Sequence, residues 1–364
     1  MANSTTSQSA SDANRSQTFR DDADGVFTFS ASQISTWNSC GMKWGFSYID
    51  GIKSPSNSAA ARGTKIHSEM EAWLLKSVIP TDAAAKRLLK LAPVPTHPDL
   101  LVEHAFRILF PAGAARGFID LLVPKPELTK LPKGLGFSPT VPIVIDWKST
   151  SRIDLAKSPE DLLTDPQALL YGVEARRVIA KDLGVKLQAV PEVDLMWAFT
   201  STKVAEVKPV RLRQSLAILE DGLGPLLETA ATMSAAQAHG ITKDLAYDLR
   251  TCEIYGGCPH KAYCPAHQAY TRGDLTPIGN ATDAPASETR SIATSPVTPE
   301  PRMSALLEKL ARAKKTPPKV IPAVPSFEEP SVAAVEAIVK PSPEPQLPKA
   351  DVSGLAVPLP PKSS

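Results

Sequence analysis

The feature that most constrains this chain is a short apolar run that ends in charged residues, VPIVIDWKSTS at 141–151. Three consecutive β-branched residues, 143–145, predict a buried strand, and side chains on a strand alternate between two faces. The alternation places Val144, Asp146 and Lys148 on one face, and Ile143, Ile145 and Trp147 on the other. An acid and an amine at the end of a buried strand cost desolvation unless they pair or hold a metal ion. The two charges are therefore either an ordinary surface ion pair or part of a functional site.

Proline distribution marks the folded part of the chain. Of the 35 prolines, 17 lie in the last quarter, which has a single aromatic residue, Phe327. Such a segment cannot bury enough apolar surface to offset the entropy of ordering, so residues 273–364 are predicted to be a disordered tail. Residues 1–25 are Ser-rich and polar, and they predict a second disordered arm rather than a targeting signal. The predicted folded domain is thus 26–272.

Charge and hydropathy exclude little else. No apolar run approaches the ~18 residues that span a bilayer, so we expect a soluble protein with no membrane partner. The formal net charge of +2 neither supports nor excludes a nucleic-acid partner, because a local basic groove can lie in a balanced chain.

Hydrophobic periodicity predicts an α/β fold, a central mixed sheet flanked by helices. One helix is expected to begin after the N-cap Asp165, with Pro166 at its first position, and to end at Gly184. The other predicted elements are a helix at 59–76, strands at 102–109, 116–123, 142–148, 193–201 and 203–212, and a Leu-rich helix at 211–238 interrupted near 222–225.

Other polar residues lie in these elements. Asp120 is carried by a mostly apolar strand, and together with Asp146 it would offer oxygen ligands to Mg²⁺ or Mn²⁺. Each candidate also has an ordinary interpretation: Asp120 as a strand-end acid in solvent, and His67 as a satisfied core or surface histidine. Gln167 and Tyr171 lie four residues apart, and alone they would indicate only a polar helix face.

The ordered set RGTKIH (62–67), GFID (117–120), IDWKS (145–149) and QALLY (167–171) resembles the motif series of the RecB-type branch of the PD-(D/E)XK nuclease superfamily. That branch includes the CRISPR-associated adaptation exonuclease and many phage exonucleases. The segment FSASQISTWNSCGMKWGFSYIDGI is similar to the family's opening segment, so the resemblance covers about residues 26–270. It implies a restriction-endonuclease-like core with a cysteine-clamped C-terminal segment.

The resemblance also implies residue roles. The metal ligands would be His67, Asp120, Asp146 and the backbone carbonyl of Trp147, with Lys148 orienting or helping to deprotonate the attacking water. Gln167 and Tyr171 would contact the substrate strand or support the site, and Glu103 would support the ligands without being one of them. Asp146 stands where many superfamily members have Glu, a variant common in the RecB-type branch.

Four cysteines form a second constellation, Cys40 far upstream of Cys252, Cys258 and Cys264. Without a secretory signal, a metal is a better use for them than disulfides. The resemblance implies a [4Fe-4S] cluster. The spacing Cys-x5-Cys-x5-Cys departs from the usual tighter first pair, so Zn²⁺ stays open, with His260 and His267 as possible replacement ligands, as do four unrelated buried thiols.

Together these features predict a metal-dependent DNA nuclease. An exonuclease on single-stranded DNA ends, serving recombination, repair or replication in the cytoplasm of a bacterium or a phage-infected host, is the function that the resemblance implies. The alternative is a catalytically silent nuclease fold that binds DNA or assembles a recombination complex. Amphipathic segments of the tail, at 304–315 and 331–340, predict recruitment of a replication or recombination protein.

Overall fold

A six-stranded sheet with helices on both faces makes up most of the described chain. The computed structural model describes residues 25–54, 58–274 and 278–279. Its strands are β1 (Thr28–Phe29), β2 (Leu101–Phe110), β3 (Gly113–Val123), β4 (Ile143–Thr150), β5 (Glu192–Ser201), β6 (Val207–Ser215), β7 (Tyr247–Asp248) and β8 (Ile278–Gly279). Its α-helices are α1 (Ala31–Ser39), α2 (Gly41–Tyr48), α3 (Ser58–Lys76), α4 (Ala83–Leu88), α5 (Pro166–Leu183), α6 (Leu216–His239) and α7 (Pro265–Thr271).

Strands β1 and β4 both lie along one edge of β3, and β2 pairs antiparallel along the other edge. On the shared edge β1 runs parallel to the start of β3, with Phe29 opposite Ala115, and β4 runs antiparallel to its end, with Ile145 opposite Leu121. The carboxyl ends of β1 and β4 therefore point toward each other. Between them lies the β3 gap, residues 116–120, where neither strand forms ladder pairs within the described chain.

The rest of the sheet follows from β4. Strand β5 pairs parallel with β4, and β6 pairs antiparallel with β5, so the sheet is mixed, as predicted. A parallel pair needs a crossover connection, and α5 supplies it between β4 and β5. The short strands β7 and β8 pair separately.

The two faces of the sheet bury different sets of residues. One core contains Val144 together with side chains of α1, α2, α5 and α6. The other contains Ile143, Ile145 and Trp147 with side chains of α3 and α4. The alternation predicted for 143–147 is thus confirmed, and β4 is covered on both faces.

Helix α5 begins and ends where the sequence predicts. The Asp165 carboxylate accepts hydrogen bonds from the N–H groups of Gln167 and Ala168, and Pro166 opens the helix. Gly184 ends it with a φ of +66°, a left-handed conformation that glycine adopts without strain. These caps fix the position of the first turn of α5 beside the end of β4.

Several expectations need correction. Helix α6 is continuous through Pro225 rather than interrupted, and it begins at Leu216 because β6 continues to Ser215. Residues 203–206 form a turn before β6, and α4 was not predicted. A row of buried residues on α6 explains the continuity, since tertiary packing overrides the local cost of proline: Leu219, Leu223, Leu226, Ala230 and Met233.

The chain divides into two compact units, Met1–Lys315 and Thr316–Ser364. All of the described residues lie in the first unit, and the second falls outside them. The predictions for residues 1–24 and for nearly all of the tail likewise concern residues outside the described part. Among the described helices, none is both long and apolar enough to cross a membrane.

Candidate active site

The predicted site residues converge on the β3 gap. Asp120 lies in the gap itself, Asp146 and Lys148 lie at the carboxyl end of β4, and His67 approaches from α3. Gln167 comes from the first turn of α5. Four separate elements therefore contribute, and the split of β3 between two partner strands leaves room for them.

Asp120 is held by two neighbours and is 7 % exposed. Its Oδ2 lies 3.3 Å from His67 Nδ1 and accepts a 2.8 Å hydrogen bond from the Trp147 N–H. Burial raises the pKa of Asp120, but the hydrogen bond and charge of His67 outweigh burial and lower the pKa overall. Burial lowers the pKa of His67, but the hydrogen bond that His67 donates to Asp120 and the charge of that carboxylate reverse this, so the net direction is upward.

Asp146 is 1 % exposed and is paired with Lys148. Lys148 Nζ lies 2.6 Å from Asp146 Oδ2, although that oxygen has no well-aligned hydrogen bond within the described chain. Burial raises the pKa of Asp146 to about 6 despite the lysine, and the charge of Asp120 adds to the rise. Burial alone would lower the pKa of Lys148, but Asp146 and Asp120 raise it overall, so the ammonium stays protonated.

Glu103 joins His67 and Asp120. One ligand atom from each of these three residues lies within 4.8 Å of the others. Glu103 has a φ of +50°, which is strained for a residue other than glycine. The sequence indicates an acid at this position but does not reveal this backbone conformation. The closeness of Glu103 to His67 and Asp120 makes it a candidate metal ligand rather than only a supporting residue.

This donor set fits a divalent cation. An imidazole nitrogen and several carboxylate oxygens are ligands that Mg²⁺ and Mn²⁺ accept. Asp146 adds a buried carboxylate whose ionised form lacks solvation, and a nearby cation would stabilise that form. The Trp147 side chain packs in the core on the α3 side.

Gln167 and Tyr171 form one hydrogen-bonded chain with the charged pair. Gln167 Oε1 accepts from Lys148 Nζ at 2.8 Å, and Nε2 donates to Asp146 Oδ1 and to Tyr171 Oη, both at 2.7 Å. The Tyr171 hydroxyl in turn donates to the Phe118 carbonyl. Gln167 therefore contacts both members of the charged pair directly, and Tyr171 contacts them through Gln167.

A cavity of about 490 Å³ opens beside Lys148 and Gln167. Its wall carries the hydroxyls of the α1 amino end and two basic side chains, and the residues are Ser30, Ser32, Ser35, Arg116 and Lys157. Lys157 is ion-paired with Asp165. Hydroxyls, cations and a helix amino end together suit an anionic ligand.

The four cysteines lie close together near the amino end of α2. Cys40 precedes α2, Cys264 precedes α7, and all four thiols lie in one cluster with Met42 and Phe46. Burial raises the pKa of the Cys252 thiol to about 12, and the charges of the other three thiols add to it. Within the described residues, the group placed closely enough to hold a metal ion is His67, Glu103 and Asp120, so a metal at the cysteines stays a prediction.

The histidines considered as zinc ligands lie nearby but have other partners. Both ring nitrogens of His260 are used, Nε2 with Ser47 Oγ at 3.1 Å and Nδ1 with the Tyr263 hydroxyl. His267 Nε2 lies 4.0 Å from Glu253 Oε1. The contacts of His260 favour a ligand set of four cysteines over one that includes this histidine.

Comparison with known proteins gives one partial family match. A model of the PD-(D/E)XK nuclease superfamily matches residues 28–127, which include β1, α3, β2 and β3. None of the curated proteins matches the chain. In this part of the chain the sequence is thus similar to that nuclease superfamily.

Two solved structures align with part of this chain. One, SSO0001, is 11 % identical, with a TM-score of 0.34, over 66 % of this chain and 87 % of the other. The second, from Eubacterium rectale and named "Putative exonuclease", is 9 % identical, with a TM-score of 0.37, over 62 % of this chain and 87 % of the other.

Proposed function

We propose that the chain is a metal-dependent deoxyribonuclease whose catalytic groups are Asp120, Asp146 and Lys148. The observation that carries the proposal is the convergence of His67, Asp120 and the buried Asp146–Lys148 pair on the β3 gap. The match of residues 28–127 to the nuclease superfamily supports phosphodiester hydrolysis. The motif residues Asp120, Asp146 and Lys148 are all present, which favours an enzyme over a silent scaffold.

His67, Asp120, Asp146 and the Trp147 carbonyl would hold Mg²⁺ or Mn²⁺, and the position of Glu103 adds it to the candidate ligands. The cation supplies charge neutralisation of the phosphodiester and activation of water. Lys148, kept protonated by its two acidic neighbours, orients the water and stabilises negative charge that develops on the phosphate. His67 holds Asp120 in place through its Nδ1 contact.

The substrate is proposed to be single-stranded DNA, cut from an end. The cavity beside Lys148 supports an anionic strand, because hydroxyls and cations line it next to the reactive pair. The resemblance to RecB-type and phage exonucleases supports the end-dependent mode. A role in recombination, repair or replication, and recruitment through the tail, belong to the same proposal.

Digestion of end-labelled DNA tests the function. Single-stranded, double-stranded and circular DNA are incubated with the protein and Mg²⁺ or Mn²⁺, with EDTA as the control. Metal-dependent shortening of linear single strands, with circles left intact, is expected. Binding without cleavage under every condition would instead assign the chain to the silent DNA-binding class.

The four cysteines are proposed to hold a [4Fe-4S] cluster with a structural role. Their gathering around Met42 and Phe46 supports a common ligand, and it joins a residue near α1 to a segment over 200 residues later. Closing so long a loop stabilises the fold by restricting the unfolded chain. Zn²⁺ on the same four thiols is the competing assignment.

A further inference from the structure

Tyr171 supplies a hydrogen-bond donor in the β3 gap. Its hydroxyl donates to the carbonyl of Phe118, within the stretch where neither β1 nor β4 forms ladder pairs. The Tyr171 ring is 5 % exposed and meets the Phe106 ring edge-on, with centroids 5.9 Å apart. Packing therefore fixes the ring, and the hydroxyl proton is committed to the carbonyl. An oxygen lone pair is left to accept from Gln167.

The Gln167 amide consequently has one favourable orientation. Its NH₂ group donates to Asp146 Oδ1 and Tyr171 Oη, and its oxygen accepts from Lys148 Nζ. Exchanging the two ends would bring oxygen against the carboxylate and NH₂ against the ammonium. Both contacts would be repulsive, so the three partners together select one of the two amide orientations.

We infer that Tyr171 is a positioning residue that acts through Gln167 to orient Asp146 and Lys148, and that neither residue serves mainly to bind the substrate strand. The inference rests on the proposed nuclease function. Tyr171 offers almost no exposed face for a base to stack on. A phosphate could recruit the Gln167 NH₂ group only by breaking its bonds to Asp146 or Tyr171.

A double-mutant cycle tests the inference. Cleavage of single-stranded DNA is measured at saturating metal for the wild type, Tyr171→Phe, Gln167→Ala and the double variant. Tyr171→Phe should lower kcat by at least about tenfold and leave KM within about twofold, since a small misplacement of reacting groups is costly. In the Gln167→Ala background the same change should alter kcat less than about twofold, because residues that act as a unit are not additive.

Controls separate positioning from loss of folding. Thr200→Val removes another buried hydroxyl that donates to a backbone carbonyl, that of Ala84 at 3.0 Å, and should leave kcat unchanged. If Tyr171→Phe does not fold, Gln167→Glu replaces it. That change keeps an acceptor for Lys148 but turns a carboxylate oxygen toward Asp146, so kcat should fall while KM holds.

Several outcomes would overturn the inference. These are a rise in KM with unchanged kcat in Tyr171→Phe or Gln167→Glu, wild-type kcat in the tyrosine variant, or multiplicative effects in the cycle. If the wild type itself fails to cleave, the proposed function fails. If the wild type cleaves and Tyr171→Phe matches it, only the positioning role fails.

Discussion

Glu103 on β2 and Asp120 on β3 lie between the paired residues Val102–Leu121 and His104–Ile119, and their closest ligand atoms are within 4.8 Å. Two acids this close repel each other unless a cation lies near them. Glu103 also adopts a φ of +50°, which costs a residue with a side chain about 1–3 kcal/mol. Strain of this kind at a group of acids is typical of a functional site, and it makes Glu103 a candidate ligand.

Glu103→Gln is therefore expected to weaken metal binding. The amide keeps the size of the side chain but removes its charge, so the Mn²⁺ concentration for half-maximal cleavage should rise by about tenfold or more. A metal titration of the cleavage rate measures this. Glu228→Gln, at an exposed position on α6, is the control and should titrate like the wild type. An unchanged titration of Glu103→Gln would return this residue to a supporting role.

Asp146→Ala and Lys148→Ala should each abolish cleavage and leave DNA binding largely intact. Their side chains act at the reacting centre, whereas affinity comes mainly from phosphate contacts spread over the surface. Cleavage assays and gel-shift titrations of both variants check this. Asp194→Ala is the matched control, since it removes another buried acid from the same sheet, one that pairs with Arg213, and should cleave like the wild type. Wild-type turnover in either site variant would contradict the assignment.

The stability of the protein without added divalent cation should depend on pH through Asp146. Burial raises the folded-state pKa of this group to about 6, above its ordinary value. The folded state thus binds the proton more tightly, and the free energy of unfolding falls as pH rises from about 4 to about 6. This group contributes at most about 3 kcal/mol to the fall.

Denaturant unfolding of the wild type and Asp146→Asn between pH 4 and 7 measures that contribution. The wild type should lose stability more steeply with rising pH than the variant. His67, whose pKa is also raised, remains in both proteins, but the charge of Asp146 contributes to that rise, so the difference between the curves includes the change at His67. If the two stability curves run parallel with pH, burial does not raise the pKa of Asp146 in the folded state.

Cys258→Ser should remove the bound metal and lower the thermal stability and solubility, with cleavage lost through unfolding. The proposed hydrolytic site would use oxygen and imidazole ligands, so the cysteines are not expected to take part in the chemical step itself. Anaerobic purification, a visible spectrum, and iron, sulfide and zinc assays measure the outcome. His267→Ala should keep the metal. About one zinc per chain without iron or visible absorbance would replace the iron–sulfur assignment with zinc.

A chain ending near residue 275 should stay folded and cleave DNA. All of the proposed metal and catalytic residues, and all four cysteines, lie before that position. Circular dichroism and the end-labelled assay compare the shortened protein with the full chain. Loss of cleavage in a folded shortened protein would give the tail a part in catalysis rather than in recruitment.

Much of the scaffold could be predicted because its signals are local. The alternation at 143–147 and the caps of α5 at Asp165 and Gly184 depend on neighbouring residues, and the structure confirms them. The continuity of α6 could not be predicted in this way. Pro225 and Gly222 indicate a break, but the contact of Gly222 with Leu169 on α5 depends on distant sequence.

The site shows the same division. The resemblance of the motifs that contain them, rather than spacing alone, makes Asp146, Lys148, Gln167 and Tyr171 candidates. It does not reveal that Gln167 bonds to both members of the charged pair, because 19 and 21 residues separate them along the chain. Nor does it reveal the left-handed φ of Glu103, which arises where β2 and β3 meet. Long-range pairing, not local propensity, decides such features.

The docking of α2 on the cysteine segment bears on how the chain is made. During synthesis the last of the residues proposed for the active site, Tyr171, is added to the chain 81 residues before Cys252. Until then nothing from that segment covers Met42 and Phe46, two apolar side chains that it buries in the finished fold. A nascent or prematurely terminated chain thus exposes an apolar surface and is prone to aggregation or degradation. If the chain is the proposed deoxyribonuclease, quality control would in this way remove unfinished copies whose activity would be a hazard to the cell's own DNA.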